Sequence, residues 1–484
     1  MTNKERESGC FSQRAWLYWP EFSEESVSLM VSISGVRGIV GSSLTPETVT
    51  TYAAAYSEFC ERGPIAIGRD GRITGDSIAD IVIAILRQMG SDVISLGIVP
   101  TPTVALAVKK MGLAGGISIT ASHNPMVWNG LKFFSRTGLF LNGDENRDFW
   151  KIADRGLFEY RPWDRQGIVH QRKDFRDEHV RTVLGMEVLQ TEVVRSRHLK
   201  VVVDCVNASG GAVVPDLLRS LGCEVVELYC DVSGIFAHTP EPIPENLGDL
   251  AARVRKEHAD LGMAIDPDSD RLVIIDERGE PIGEEYTITL AVDLVLRKER
   301  ERGRTGHTVV VNLSTTRAVE DVAARYGAQC VRTPVGEINV AQRMTSIGAV
   351  IGGEGSGGVI YPAVHPGRDA MVGAVLILQS LAESNGSMSS LAASMRRYSI
   401  VKGKVEVGNI DARRRLDAIA KNCGARARVN SDDGIKIDFS DSWVHLRLSN
   451  TEPIIRIIAE ATRRADAEAL VDQFRAEILE GTRA

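Results

Sequence analysis

Four short stretches of the sequence hold residues whose types and spacing suit chemistry. "TASHNP" (120–125) sets Ser122 beside His123 on a turn closed by Pro125. The pair is no hydrolase dyad, since adjacent side chains rarely face one another and the G-x-S-x-G elbow is missing. Taken alone it reads as a hydrogen-bonded turn. The apolar run "GGISIT" comes just before it, though, and ligands of open α/β sheets bind where strands end. "NGLK" (129–132) follows, bringing Lys132 as a proton carrier or phosphate partner.

"DPDSDR" (266–271) carries Asp266, Asp268 and Asp270 at alternate positions between "GMAI" and "LVIID". Alternate side chains of an extended loop share a face, so three carboxylates can converge on a hard cation such as Mg²⁺. A calcium EF-hand would use Glu277 at its twelfth position, but Arg271 stands where that loop needs glycine. A solvated acidic loop is the bland alternative; Pro267 and the flanking apolar runs favour a rigid ligand loop. "GGEGSGG" (352–358) offers Glu354 and Ser356 on a backbone small enough to approach several hydroxyls, or is an ordinary tight turn. "RLSNTEP" (447–453) ends a strand-like run with Arg447, Ser449, Asn450 and Thr451. That set is either a cradle for a phosphate dianion or a polar turn.

The elements that would position these stretches recur. "PIAIGRDGRITG" (64–75), "KVVVDCVNASGG" (200–211) and "TVVVNLSTTRA" (308–318) each read as a strand and turn, followed by an amphipathic helix, a glycine and a second strand. Gly90, Gly222 and Gly327 fall where a helix takes a left-handed residue before the chain turns. Such βαβ units predict mixed or parallel sheets covered by helices. The last part differs: "IDARRRLDAIAKN" predicts a helix, "GIKIDF", "WVHLRLS" and "IIRIIAEA" predict strands, and "ADAEALVDQFRAEILE" predicts a closing helix. The fold class expected is therefore α/β, with three related mixed-sheet domains and a C-terminal α+β domain built on an antiparallel sheet. Expected divisions are 30–170, 171–281, 282–396 and 397–484, with 1–29 an extension and Met30 a candidate start. "RDGRITG" (69–75) reads as an exposed loop.

Composition sets outer bounds. The 484 residues, 43% hydrophobic and 25% charged, exclude a disordered chain, and the net charge of −7 argues against a nucleic-acid partner. Seven cysteines without a CxxC pair read as buried free thiols of a reducing cytoplasm. No apolar run approaches the length of a membrane span, so no membrane partner is expected.

In this order and at these spacings, the four stretches resemble the α-D-phosphohexomutase family, and the resemblance covers residues 30–484. It implies four domains around one central cleft and a phosphorylated hexose as substrate. Its cofactors would be Mg²⁺ and a hexose 1,6-bisphosphate that is both activator and intermediate. By resemblance, Ser122 carries the transferable phosphoryl group and joins Asp266, Asp268 and Asp270 around the metal. Arg271, Arg37, His123 and Lys132 line the reaction centre. Glu354 and Ser356 read sugar hydroxyls, while Arg447, Ser449, Asn450 and Thr451 grip the non-reacting phosphate. A phosphoserine would give its group to a hexose monophosphate, and the sugar would turn over and return its other phosphate to Ser122. One position departs: Gly358 stands where many relatives place a histidine, and His365 in "HPGRD" is the nearest substitute in sequence. The "GEGSGG" and "HPGRDA" stretches look most like an archaeal-type phosphoglucosamine branch. Phosphomannomutase and phosphoglucomutase activities, or a serine-dependent sugar-phosphate phosphatase, are the alternatives. A monomer or homodimer is expected.

Overall fold

The computed structural model describes residues 28–408, 411–424, 427–449 and 453–480. Residues 1–27 of the expected extension, and Asn450 and Thr451 of the expected phosphate loop, lie outside these.

Three sheets are built on one plan. A central strand (Ile65–Arg69, Lys200–Asp204 or Thr308–Asn312) lies between two parallel neighbours. These neighbours are Val93–Ile98 and Gly115–Ile119, then Glu224–Leu228 and Leu261–Ile265, then Gln329–Thr333 and Ile351–Glu354. The later neighbour reverses into an antiparallel strand: Trp128–Phe134, Leu272–Asp276 or Gly358–Ile360. The spatial order of these four strands is the same in all three sheets. "KVVVD" and "TVVVN" are apolar almost throughout because helices cover both faces of a parallel sheet.

Details repeat with the plan. Beside each central strand's end, the carboxylate or amide of Asp70, Asp204 or Asn312 accepts the backbone N–H two residues on, at 2.9 Å each time. This local closure ends the strand in the same way three times. Gly90, Gly222 and Gly327 do take left-handed backbone, with φ of 96°, 78° and 67°. The final reversal of the three sheets is formed by "TASHNP", "DPDSDR" and "GEGSG", so one structural turn supplies three of the candidate stretches. Each holds a left-handed residue: Ser122 (φ 51°), Ser269 (58°) and Gly357 (85°).

The first sheet gains a hairpin of Met30–Ser32 and Gly35–Ile39 at one edge and Val169–Gln171 at the other. The last of these straddles the division expected at 170/171, because its pairing with Val93–Ser95 keeps it in that sheet. The second and third sheets share one buried apolar cluster, in which Val203 and Ile274 join Val311, Ile351 and Leu376. The fourth sheet is antiparallel throughout, in the order Ser399–Glu406, Ile454–Ala461, Ser442–Leu448, Ile435–Asp438, Arg428–Asn430. Its helices, Ala412–Cys423 and Arg464–Glu480, pack into one core with it. No described helix is long and apolar enough to cross a membrane. Of the described cysteines, Cys60, Cys205 and Cys223 are buried thiols, whereas Cys230, Cys330 and Cys423 are half-buried.

Candidate active site

All four sheets wall one cavity of about 1100 Å³. Arg37, Ser122, His123 and Lys132 line it from the first, Arg271 from the second, Glu354 and Ser356 from the third, and Arg447 from the fourth. Ser449 follows the end of strand Ser442–Leu448, where its N–H donates to Ile454 O at 2.9 Å, and is not part of the lining.

Ser122 Oγ lies 3.4 Å from Asp266 Oδ2 and 3.3 Å from His123 Nδ1. The left-handed Ser122 backbone is pinned by its N–H donating to Thr120 Oγ1 at 2.9 Å. The turn is held from below by Arg72, a residue that "RDGRITG" hid. That stretch is not the exposed loop its composition suggests: Asp70 and Arg72 are both buried, although Ile73 is exposed. Arg72 donates to the carbonyls of Ser122, Asn124, Pro125 and Trp128 at 2.7–2.9 Å and to Asp70 Oδ2 at 3.1 Å.

Asp266, Asp268 and Asp270 bring carboxylate oxygens within 4.8 Å of one another, all buried. Cations from elsewhere hold two of them. Lys132 Nζ meets Asp268 Oδ2 at 2.5 Å and Arg368 Nη2 meets Asp270 Oδ2 at 2.7 Å. Thr101 donates its hydroxyl to Asp268 Oδ2 at 3.0 Å, tying the first sheet to this loop. Asp268 Oδ1 and Asp270 Oδ1 are buried acceptors without a hydrogen-bond partner. Orphaned acceptors are costly unless something fills them. With Asp266 and the Ser122 hydroxyl they make a set of hard oxygen donors that fits a divalent cation such as Mg²⁺.

Electrostatics follow from this crowding. Burial, then Asp270 and Asp268, push the Asp266 carboxyl well above its usual range. Burial also pushes Asp270 up, but Arg368, Lys132 and Arg271 outweigh it and hold it below that range. Burial, with Arg271 and Arg37 close by, lowers His123 to about 2, so its imidazole is neutral and a weak base.

Glu354 is held by three donors: Asn312 Nδ2 (2.7 Å), Gly336 N (3.1 Å) and Arg368 Nη1 (2.7 Å). Arg368, not His365, fills the place left at Gly358. A Cβ on residue 358 would stand 2.2 Å from Arg368 Cδ. His365 is buried outside the cavity lining, 3.1 Å from Asp369 Oδ2, with its Nδ1 accepting from Gly367 N. On the opposite wall, the exposed side chains of Lys402, Lys404 and Arg456 also face the cavity. Lys404 and Arg456 stand opposite each other in the pairing of strands Ser399–Glu406 and Ile454–Ala461. The alternation in "VKGKVE" was the signal available for both lysines, which period-2 strand geometry puts on one face.

The sequence matches the four parts of one family in order. Phosphoglucomutase/phosphomannomutase alpha/beta/alpha domains I, II and III match residues 30–159, 177–279 and 283–398, and the C-terminal domain matches 403–477. A probable phosphoglucosamine mutase of Methanopyrus kandleri is 36% identical over 91% of this chain and 96% of its own length. A phosphoglucomutase/phosphomannomutase of Thermococcus kodakarensis is 35% identical over 90% and 96%. Among solved structures, a phosphoglucomutase/phosphomannomutase family protein of Burkholderia thailandensis superposes with a TM-score of 0.81 at 28% identity. It covers 94% of this chain and 98% of that one.

Proposed function

The chain belongs to the phosphoglucomutase/phosphomannomutase family and is a phosphohexomutase, and from that premise we propose that it acts on glucosamine phosphate with Ser122 as the phosphoryl carrier. The observation that carries the site is the Ser122 hydroxyl at 3.4 Å from the aspartate loop, inside a cavity walled by all four sheets. The sugar is supported by the probable phosphoglucosamine mutases among the relatives. The relative named phosphoglucomutase/phosphomannomutase supports the second reading, action on glucose or mannose phosphate.

Phosphorylated Ser122 gives its group to the free end of a hexose monophosphate. Arg37, Lys132 and Arg271 surround that end with positive charge, which stabilises the phosphoryl oxygens as charge spreads over them. In each transfer the proton of the accepting hydroxyl ends on the oxygen that the phosphoryl group leaves, and His123 Nδ1, 3.3 Å from Ser122 Oγ, helps to hold the serine hydroxyl in place. Asp266, Asp268 and Asp270 with Ser122 would hold Mg²⁺, which draws charge from the phosphoryl oxygens. Glu354 and Ser356 orient the sugar. Arg447, with Lys404 and Arg456, grips the phosphate that is not reacting, and that binding energy places the other end. Between the two steps the 1,6-bisphosphate turns over within the cavity. The cell compartment is the cytoplasm, where the thiols stay reduced.

The test is a turnover assay with glucosamine, mannose and glucose phosphates, Mg²⁺ and catalytic 1,6-bisphosphate. Glucosamine phosphate should be converted fastest, and Ser122→Ala should abolish conversion of all three. Equal rates would remove the sugar assignment, and near-full turnover by Ser122→Ala would remove the mechanism. Free phosphate released faster than isomerised sugar would identify a phosphatase instead.

A further inference from the structure

Arg368 joins three carboxylates from three elements. Its guanidinium reaches Asp270 Oδ2 and Glu354 Oε2 at 2.7 Å each and Glu337 Oε2 at 3.1 Å. The partners lie in the metal loop of the second sheet, the sugar loop of the third, and the start of helix Glu337–Ile347. A rigid planar fork cannot swing at one of these contacts without disturbing the others. Room for it exists because residue 358 has no side chain, and the guanidinium forms part of the cavity wall.

The same carboxylate, Asp270, is asked to do two things. Its Oδ2 is taken by Arg368, while its buried Oδ1 has no hydrogen-bond partner and belongs to the donor set that fits a divalent cation. A cation bound there would share one carboxylate with a fixed guanidinium, and two positive groups on one carboxylate repel.

We propose that Arg368 is a positioning residue that sets two affinities in opposite directions: it aims Glu354 at the sugar and, by sharing Asp270, keeps the cation loosely held. Gly358 is part of the device as the space Arg368 occupies. A loosely held cation can adjust as the phosphoryl group passes between Ser122 and either end of the sugar. The proposal rests on the reading of the cavity as a sugar-phosphate site.

Two substitutions reach the device from different sides. Arg368→Gln removes the charge, and Gly358→Ala leaves the charge but takes the space of the side chain. Mg²⁺ alone is titrated calorimetrically into the unphosphorylated full chain, and KM for glucosamine 6-phosphate is measured separately. Both variants should bind Mg²⁺ tighter by about fivefold or more, because a competing charge has left Asp270. Both should show KM raised by about tenfold, because Glu354 is no longer aimed. A merely structural role would weaken both ligands together. That result, or a Gly358→Ala protein with wild-type values for both, overturns the proposal. If Arg368→Gln melts early, Gly358→Ala decides, since it keeps the guanidinium in the protein and changes only where it can sit. Failure of the functional reading looks different: wild type would then interconvert none of the sugar phosphates, whatever its cation affinity.

Discussion

Lys132 and Asp268 meet across the first and second sheets, with Nζ 2.5 Å from Oδ2 and a second approach of 3.6 Å to Asp270 Oδ2. Both side chains are buried, so the pair positions the serine turn and the aspartate loop against each other as well as balancing charge. The same ammonium stands beside His123, where it helps to keep the imidazole neutral. On the proposed mechanism, Lys132→Met removes a cation from the place where phosphoryl charge develops. The expected result is a fall in kcat of about 10²–10³-fold, as for loss of one preorganised donor. Steady-state turnover read together with the intact mass of the resting protein checks it. Unchanged kcat would place Lys132 in a purely structural role.

Arg72 is the base on which the serine turn rests. It is fully buried, paired with buried Asp70, and spends its N–H groups on four carbonyls of the turn. Removing one partner of a buried pair strands the other, at a cost of about 3–5 kcal/mol. Arg72→Ala should therefore lose that much stability in urea melts and also lose phosphorylation of Ser122, although Arg72 is not among the residues that line the cavity. A variant with wild-type stability would show that the turn holds itself.

The order in which these residues could be read from sequence has a physical basis. "TASHNP" and "DPDSDR" were legible because each concentrates its chemistry in one uninterrupted turn. The triple repeat was legible because apolar strand, helix and left-handed glycine recur in register. Arg72 and Arg368 were hidden because their roles exist only through partners far along the chain: Ser122 is 50 residues from Arg72, and Asp270 is 98 from Arg368. Nearness in sequence misled at His365, whose neighbour Arg368 is the residue that reaches the site. His365 instead shares Asp369 with His179 in a buried cluster. Lys402 and Lys404 gained meaning only once their strand was paired with Ile454–Ala461.

Three buried carboxylates with two orphaned oxygens are a store of repulsion that a divalent cation relieves. A ligand that binds only the folded chain stabilises it by about 2.7 kcal/mol at a hundred times its dissociation constant. Mg²⁺ should accordingly raise the melting temperature, and chelation should reverse the rise. Asp268→Asn replaces a charged donor with a neutral amide and should abolish most of this shift. Calorimetric melts with and without Mg²⁺ decide it; an equal shift in both proteins would place the cation elsewhere.

Glu285 gives a prediction about pH. It begins helix Glu284–Glu301 at the cavity wall, where its Oε2 accepts from Thr316 N at 2.9 Å. Burial, then the neighbouring charge of Glu284, push its carboxyl up to about 8 from an ordinary 4.5. In the unfolded chain the group ionises near its ordinary value, so between the two values the folded state holds a proton that the unfolded state has released. Stability then falls as pH rises through that window, and the fall levels off above the folded value. Glutamine imitates the protonated acid and still accepts from Thr316. Glu285→Gln should therefore match wild type near pH 4.5 and become progressively more stable than it toward pH 8. Urea melts of both proteins at intervals across that range measure the difference. If the two stability curves stay parallel from end to end, Glu285 is ionised in the folded protein and the assignment of its proton is wrong.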